Sequence, residues 1–446
     1  MRCKVLFPID QKWRDLPGNI LIGSYLKKNN FDVIYCRAGK EKYFVELYHP
    51  DIIILNHVRS DENNQLSIYL KKRNVLVFVL PTEGVPTLKE GVSYELASNK
   101  NLSGVCKIFS WGKFTKEFFI KNQNKNIVIG AHRFDFYDKF YSDLVLSRKQ
   151  LFSKYDLNLS YQTVLIATNF TKAGFFKKNK KFFENDSTRQ NVIGYINKFY
   201  KGLSNITKED FLSREILIKS LKDIIIENPN RNYILKLHPS EDQVFYNDFF
   251  RGLNLRIITS EYIWNLIPHV DSLVNRSCTT SLEAWILRKP TIEFRLNPNE
   301  FYISELHASG SLIVKSHEEL KKAITHSLRS PNKFIEPFLT RRKETLSDLI
   351  GPIDGSRSRE IANQITKFSI NNKADWTNQN NIYRFIAKIY LFNNYFFHDI
   401  KLYGFFNYLC GKKVDNLGRL DKYINNQDIN FWEAKIMKFL KKINKT

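Results

Sequence analysis

The apolar residues of this chain come in short runs separated by helix-length amphipathic stretches, and this alternation occurs twice. In the first half the runs fall at 4–9, 32–35, 51–56, 75–80, 105–110 and 127–130. Short, bounded apolar runs of this kind fit strands buried on both faces. Between the first two lies 19–28, where Ile20, Leu21, Ser24, Tyr25 and Leu26 suit a helix. Strands that alternate with helices form a mainly parallel sheet with helices on both faces. Residues 1–150 therefore read as a Rossmann-like domain.

After the polar, helical stretch 138–155 the alternation begins again, with strands expected at 163–168, 233–237, 255–259, 272–275, 291–294 and 311–314. Helices are expected at 187–200, 214–227, 279–287 and 318–328. A second Rossmann-like domain over 156–345 follows. The expected architecture is an α/β fold of two such domains facing across a cleft, with ligands at the carboxyl ends of the strands. At about 150 residues per domain, the 446 residues leave room for a third part. This is a helical C-terminal extension, 346–446, entered through the break Ile350-Gly351-Pro352 and a helix at 358–368. From Trp376 onward it crowds aromatics: Tyr383, Phe385, Tyr390, Phe392, Tyr395, Phe396, Phe397, Tyr403, Phe405, Phe406 and Tyr408. Lysines interleave, ending in Lys438, Lys441, Lys442 and Lys445. That pattern suits an anionic membrane surface, with aromatics inward and lysines at the headgroups. It equally suits an appendage packing its aromatics on the core, and the irregular spacing favours the appendage.

Composition removes whole classes. No apolar run approaches the roughly 18–20 residues of a membrane helix, and the start, Met1 to Pro8, reads as a strand rather than a secretory signal. Five scattered cysteines (Cys3, Cys36, Cys106, Cys278, Cys410), with no CxxC, point away from disulfides or zinc and toward a reducing cytoplasm. The charge of +24, from 69 basic and 45 acidic residues, attracts phosphates. Part of it follows from a composition rich in Lys, Asn, Ile, Phe and Tyr, as AT-rich coding produces. No zinc-finger, RRM or basic-zipper pattern is present and the lysines are spread along the chain, so nucleic acid is not the expected partner.

Three strand-end segments carry chemistry. In Leu235-Lys236-Leu237-His238-Pro239-Ser240-Glu241 a strand runs into His-Pro, and proline turns the chain out of the sheet. The imidazole is then placed to donate to a phosphate oxygen; alone, it would more simply cap a loop. In Asn275-Arg276-Ser277-Cys278-Thr279-Thr280-Ser281-Leu282-Glu283-Ala284, hydroxyls gather where a helix begins, an arrangement that binds anions. Glu283, a turn further in, is placed to accept from ribose hydroxyls. Simple N-capping by Thr279 or Thr280, with Glu283 as dipole compensation, explains the same residues. In Leu80-Pro81-Thr82-Glu83-Gly84-Val85-Pro86 a carboxylate sits between prolines and glycine, with Glu90 and Glu95 further on. Glu83 is a candidate general base for an attacking hydroxyl; the plain alternative is an exposed turn glutamate. Two weaker segments, Ile129-Gly130-Ala131-His132-Arg133-Phe134-Asp135 and Ala167-Thr168-Asn169-Phe170-Thr171, offer Arg133 and Asn169 to a ligand.

The order of these motifs, an acidic-Gly motif in the first domain followed by KLHP and a Ser/Thr cluster in the second, resembles GT-B glycosyltransferases that use CMP-activated sugars. Bacterial sialyltransferases, Kdo transferases and capsule-type pseudaminic and legionaminic acid transferases look similar. The likeness covers 1–345. It implies Glu83 as base and His238 as the group on the CMP phosphate. Ser277, Thr279, Thr280 and Ser281 become the phosphate cradle and Glu283 the ribose ligand. Beside these, Thr82, Gly84, Arg133, Asn169, Lys236, Pro239 and Arg276 are expected to line the substrate site. The sequence departs from the family where Thr82 precedes Glu83 instead of a second acid, and where Cys278-Thr279-Thr280-Ser281 replaces a serine pair.

The expected reaction moves a nonulosonic sugar acid, sialic-like or Kdo-like, from its CMP donor to a glycan or glycolipid acceptor. A monophosphate leaving group needs less neutralisation than a diphosphate, and no DxD motif or His/Cys ligand spacing occurs, so neither metal nor other cofactor is expected. Localisation is expected in the cytoplasm, with peripheral contact to anionic lipids of the inner membrane face. Polyol-phosphate transferases using CDP-glycerol share an HP motif and a serine cluster, and His57 and His132 offer the additional histidine they call for. UDP-sugar 2-epimerases share the fold, but their Gly-rich stretch is missing. A non-catalytic basic protein binding nucleic acid or membrane would leave three strand-end motifs unexplained.

Overall fold

A computed structural model describes residues 2–83, 101–116, 124–176, 203–300, 304–377, 382, 384–389 and 420–443. The expected helix at 187–200, with Gly84, Glu90, Glu95, Lys445 and the aromatics Tyr383 and Tyr390 to Tyr408, lies outside the described residues.

The chain divides into two α/β units. In the first, strands β1 (Lys4–Ile9), β2 (Asp32–Arg37), β3 (Ile52–Leu55), β4 (Leu76–Val79), β5 (Lys107–Ser110) and β6 (Asn126–Val128) form one sheet in the order β2-β1-β3-β4-β5-β6. In the second, β7 (Thr163–Ala167), β8 (Asn232–Lys236), β9 (Leu255–Ile258), β10 (Ser272–Asn275), β11 (Thr291–Phe294) and β12 (Leu312–Val314) take the order β12-β11-β10-β7-β8-β9. Every pairing is parallel. This is the two-domain α/β architecture of the GT-B type, and each of the twelve expected strands overlaps an observed one.

The reason is burial. Val5, Leu6, Phe7 and Ile9 of β1 and Val164, Leu165 and Ile166 of β7 have no exposed surface, so these central strands must be apolar on both faces. Crossover helices Leu16–Lys28, Asp61–Lys71, Leu203–Glu227 and Thr280–Ile286 connect the parallel strands. Pro8 is tolerated inside a sheet because the β1–β3 pairing covers only Val5 and Leu6, whereas β1–β2 pairing runs on to Ile9.

The described residues from 349 on group with the first unit. Gly351 starts this return at φ +74°, where a Cβ would lie 2.7 Å from the Trp111 carbonyl oxygen, so only glycine fits. Helix Arg357–Ser369 is then capped from a distance. The Asp135 carboxylate accepts the N–H groups of Arg357 (3.1 Å) and Ser358 (2.7 Å), and burial pushes its pKa up to about 6. The helix Asn426–Ile443 buries Trp432, Ile436, Phe439 and Leu440. Its Phe439 meets Phe140 and Tyr141 edge-on and tilted, and Lys27 pairs with Glu433. No helix among the described residues is long and apolar enough to cross a membrane.

Candidate functional site

In each sheet the strand order reverses beside the first strand: between β1 and β3 in the first unit, and between β7 and β10 in the second. Crossovers leave these points in opposite directions, and the crevice left outside the carboxyl ends is where α/β sheets bind ligands. Chemistry-bearing side chains gather at both.

In the first unit, β1 ends in Asp10, Gln11, Arg14 and Asp15, β3 in Asn56 and His57, and β4 in Thr82 and Glu83. Trp111 at the end of β5 donates its indole N–H to the Pro81 carbonyl at 3.0 Å, fixing the chain before Glu83. Arg14 is the hub. Its guanidinium reaches Glu83 at 2.6 Å, Asp15 at 2.8 Å and Asp10 at 3.0 Å. The Glu83 side chain is 56% exposed, against 18% for Arg14. Arg14 foremost, with Arg59 and Arg133, holds the Glu83 carboxyl down at about 2. Glu83 is thus a carboxylate throughout the neutral range. Arg133 is buried, its guanidinium 4.9 Å from the Trp111 ring and 4.8 Å from Phe134.

The two histidines singled out in the sequence, His57 and His132, lie in this unit. Burial and Arg59 push His57 down to about 4, while Asp10 and Glu83 oppose the shift, so its ring is neutral at pH 7. Asn63 donates to the His57 carbonyl at 2.9 Å. His132 is buried against helix Leu16–Lys28, where a Cβ on Gly18 would come within 3.0 Å of its ring. Burial pushes it down to about 3, which makes it a packed neutral core residue. The C-terminal part joins the cluster as well. Lys422 pairs with Asp10, and the buried Asp421 accepts from Gln11 Nε2 at 2.8 Å.

In the second unit, His238 and Pro239 follow β8, Thr168 and Asn169 follow β7, and Arg276 and Ser277 follow β10. Asn169 spans the reversal point. Its amide donates to the Ser277 carbonyl at 3.0 Å, and its own carbonyl accepts from Arg276 at 3.1 Å. Ser277 has φ +42°, unusual for a residue with a Cβ. It is held there on three sides: its N–H donates to Glu293, its carbonyl accepts from Asn169, and its Oγ accepts the Ser304 N–H at 2.8 Å. Since that oxygen accepts from the protein, the hydroxyl proton is left to donate, as a phosphate ligand must. Glu293 on β11 also accepts from Asn275 at 2.8 Å, and burial pushes its carboxyl up to about 8.

The other expected ligands divide. Arg276 is fully buried, with its charge met by Asp210 at 3.0 Å and Glu300 at 2.7 Å and its guanidinium 4.6 Å from the Phe170 ring. It ties loops together inside the unit. Ser281 has no exposed surface and its hydroxyl lies within hydrogen-bond reach of the carbonyls of His307 (2.7 Å) and Cys278 (2.9 Å), which share its one proton, a structural use. Lys236 sends its ammonium to the Thr259 carbonyl at 2.8 Å. Thr279 precedes the seven-residue helix Thr280–Ile286 without capping it, and Thr280 Oγ1 lies 3.3 Å from Cys278 Sγ. Glu283 is buried on that helix. Among the described residues, no group of three or more His, Cys, Asp or Glu is arranged to hold a metal ion.

Sequence reasoning passed over Arg14, Asp10, Arg59, Glu241 and Lys422. The run Asp10-Gln11-Lys12-Trp13-Arg14-Asp15, charged and directly behind an apolar strand, was the available signal for the first two. Nothing local marks Lys422.

No protein-family model matches the sequence, and no curated protein does. Solved structures do resemble this one. A variant of the wall teichoic acid polymerase TagF superposes with a TM-score of 0.53 at 14% identity, over 82% of this chain and 89% of that one. S. aureus MnaA in complex with UDP gives 0.51 at 13% identity, over 84% and 100%. A UDP-N-acetylglucosamine 2-epimerase gives 0.50 at 12% identity, over 85% and 100%. At such identities the likeness establishes a shared fold, and the chain is a two-domain α/β protein of the GT-B type.

Proposed function

We propose that this chain is a glycosyltransferase that moves a nonulosonic sugar acid from a CMP-activated donor to a glycan or glycolipid acceptor. The observation that carries the reading is the second-unit strand end. There a His-Pro turn, the Asn169 bridge and the Ser277 loop follow the adjacent strands β8, β7 and β10, the last two of which flank the reversal point of the sheet. His238 Nδ1 accepts the Ser240 N–H at 3.1 Å, so the neutral ring carries its proton on Nε2 and can donate to a departing phosphate. Ser277, Thr279 and Thr280 supply further hydroxyl donors to that phosphate. In the reaction the acceptor oxygen bonds to the anomeric carbon, the bond from that carbon to the CMP phosphate oxygen breaks, and CMP leaves with the electron pair. Glu83, ionised and fixed by Arg14, accepts the acceptor's hydrogen bond and draws off its proton. No metal is invoked in these steps. A peripheral stay at anionic inner-membrane lipids accompanies this reading, with +24 of net charge as its support.

One observation favours a second reading, a polyol-phosphate transfer from CDP-glycerol. His57, neutral and close to the charges of Asp10 and Glu83, is a better proton acceptor than a carboxylate held at about 2. The likeness to TagF, one structure of which was soaked with CDPG, points the same way.

The test is nucleotide release from CMP-sialic, CMP-legionaminic, CMP-pseudaminic and CMP-Kdo donors, CDP-glycerol and UDP-GlcNAc, with and without EDTA. A CMP-sugar is expected to react and the EDTA arm to match. Glu83→Gln and His238→Ala are each expected to lower turnover at least 100-fold, the range of a lost acid–base group, with folding intact. Wild-type rates in either variant would sink the assignment, and turnover of CDP-glycerol alone would establish the second reading.

A further inference from the structure

The turn that carries His238 is closed twice by one residue. The backbone N–H of Glu241 donates to the His238 carbonyl at 2.9 Å, with Pro239 at the second position of the turn, where its fixed φ is favoured. In return, Oε2 of Glu241 accepts the backbone N–H of His238 at 2.9 Å. The carboxylate is also held from outside the turn. Thr168, the first residue beyond β7, donates to Oε2 at 2.7 Å, and Tyr246, on helix Gln243–Phe249, donates to Oε1 at 2.6 Å. Burial raises the Glu241 carboxyl, and these three donors oppose that rise. Inside the turn so fixed, the Ser240 N–H meets His238 Nδ1. An N–H donates only to an unprotonated ring nitrogen, which leaves the ring proton on Nε2.

We infer that Glu241 is the positioning residue for His238: it locks the 238–241 turn onto the end of β7 and thereby keeps the imidazole in its Nε2–H tautomer, the form that donates to a phosphate oxygen. The inference rests on the phosphate-binding role proposed for His238, yet the tautomer is readable without any substrate. A carboxylate is suited to the task because one group must accept from three donors on three segments, two of them at one oxygen. An amide or a shorter acid does not reproduce this. Glu241→Gln turns one acceptor into a donor facing a hydroxyl or an N–H, and Glu241→Asp leaves the carboxylate a methylene too short.

Full-length protein labelled with ¹⁵N at histidine tests this, with the His238→Ala spectrum assigning the resonance. The wild type is expected to show a single Nε2–H tautomer at His238. In Glu241→Gln and Glu241→Ala that signal is expected to move to the averaged position of mixed tautomers. CMP affinity by calorimetry is expected to fall about tenfold or more, the scale of losing a charge-assisted hydrogen bond. The double variant His238→Ala/Glu241→Ala is expected to bind CMP no more weakly than His238→Ala, because both losses run through one ring. Thr168→Val removes a single donor and guards against a variant that does not fold; it is expected to shift the same resonance part of the way. An unchanged His238 tautomer in the folded variants, or additive losses in the double variant, would overturn the inference. Tautomer loss in a protein that binds neither CMP, CDP nor UDP would uphold the positioning role and remove the phosphate reading instead.

Discussion

Residue by residue, the candidate sites are defined by what each charge is paired with. The sequence casts Glu83 as a general base and Arg276 as a ligand of substrate, and their surroundings separate them. Glu83 stands exposed at a strand end with one oxygen on Arg14, whereas Arg276 is enclosed by two carboxylates and an aromatic ring. The Arg14 contact also predicts a titration. Removing a neighbouring positive charge disfavours the ionised carboxylate, so in Arg14→Met the Glu83 pKa rises from about 2 toward the ordinary 4.5. The acid limb of kcat/KM should then move to higher pH by up to about two units. A pH–rate profile that keeps its acid limb in place would show that Glu83 is not the group being titrated.

At the scale of elements, neighbouring strand ends in the second unit are laced laterally. Glu241 beyond β8 bonds Thr168 beyond β7, Asn169 bonds Ser277 beyond β10, and Ser277 bonds Glu293 on β11. The last link sets a pH dependence. Glu293 has a folded pKa of about 8 against an ordinary 4.5, so the folded protein keeps a proton that the unfolded chain has lost between those values. Its contribution to stability is complete below pH 4.5 and falls as pH rises toward 8. Each pKa unit corresponds to about 1.4 kcal/mol, and each kcal/mol to about 2–4 °C in a domain of this size. The melting temperature of the second unit should therefore drop several degrees from pH 5 to 8.5, and Glu293→Gln should flatten that slope in a calorimetric scan. The strands themselves were legible because a buried parallel strand must be apolar on both faces, as the strands at 4–9, 272–275 and 291–294 illustrate. The Ser277 loop was legible only as a hydroxyl-rich segment, since its φ of +42° depends on three partners elsewhere in the chain.

For the molecule as a whole, the described C-terminal residues are structural parts of the first unit. Helix Asn426–Ile443 buries its aromatic face, and the preceding Asp421 and Lys422 reach the strand-end cluster through Gln11 and Asp10. A chain truncated after residue 419 should thus lose two things together. Its first unit should melt at lower temperature, because Trp432, Ile436, Phe439 and Leu440 no longer cover helix Leu16–Lys28 and its neighbours. Transfer should also weaken, since Asp10 loses Lys422 and the Arg14 hub is rebalanced. Melting curves and turnover measured on the truncated and full chains check both, and a truncated chain that matches the full one in each would refute this account.

Apolar runs and their spacing were enough to define twelve strands, two parallel sheets and the strand ends at which Glu83 and His238 stand, because solvent exclusion acts on local pattern. The pairing of charges was out of reach of that pattern. Arg14 finds Glu83 from 69 residues away, across the ends of β1 and β4, and Gln11 finds Asp421 from 410 away, a meeting that depends on how the chain returns through Gly351 to its first unit. Hydrogen bonds and ion pairs act over a few ångströms and leave no periodicity in the sequence. The fold therefore selected which charged side chains are spent on structure and which remain at the strand ends for chemistry.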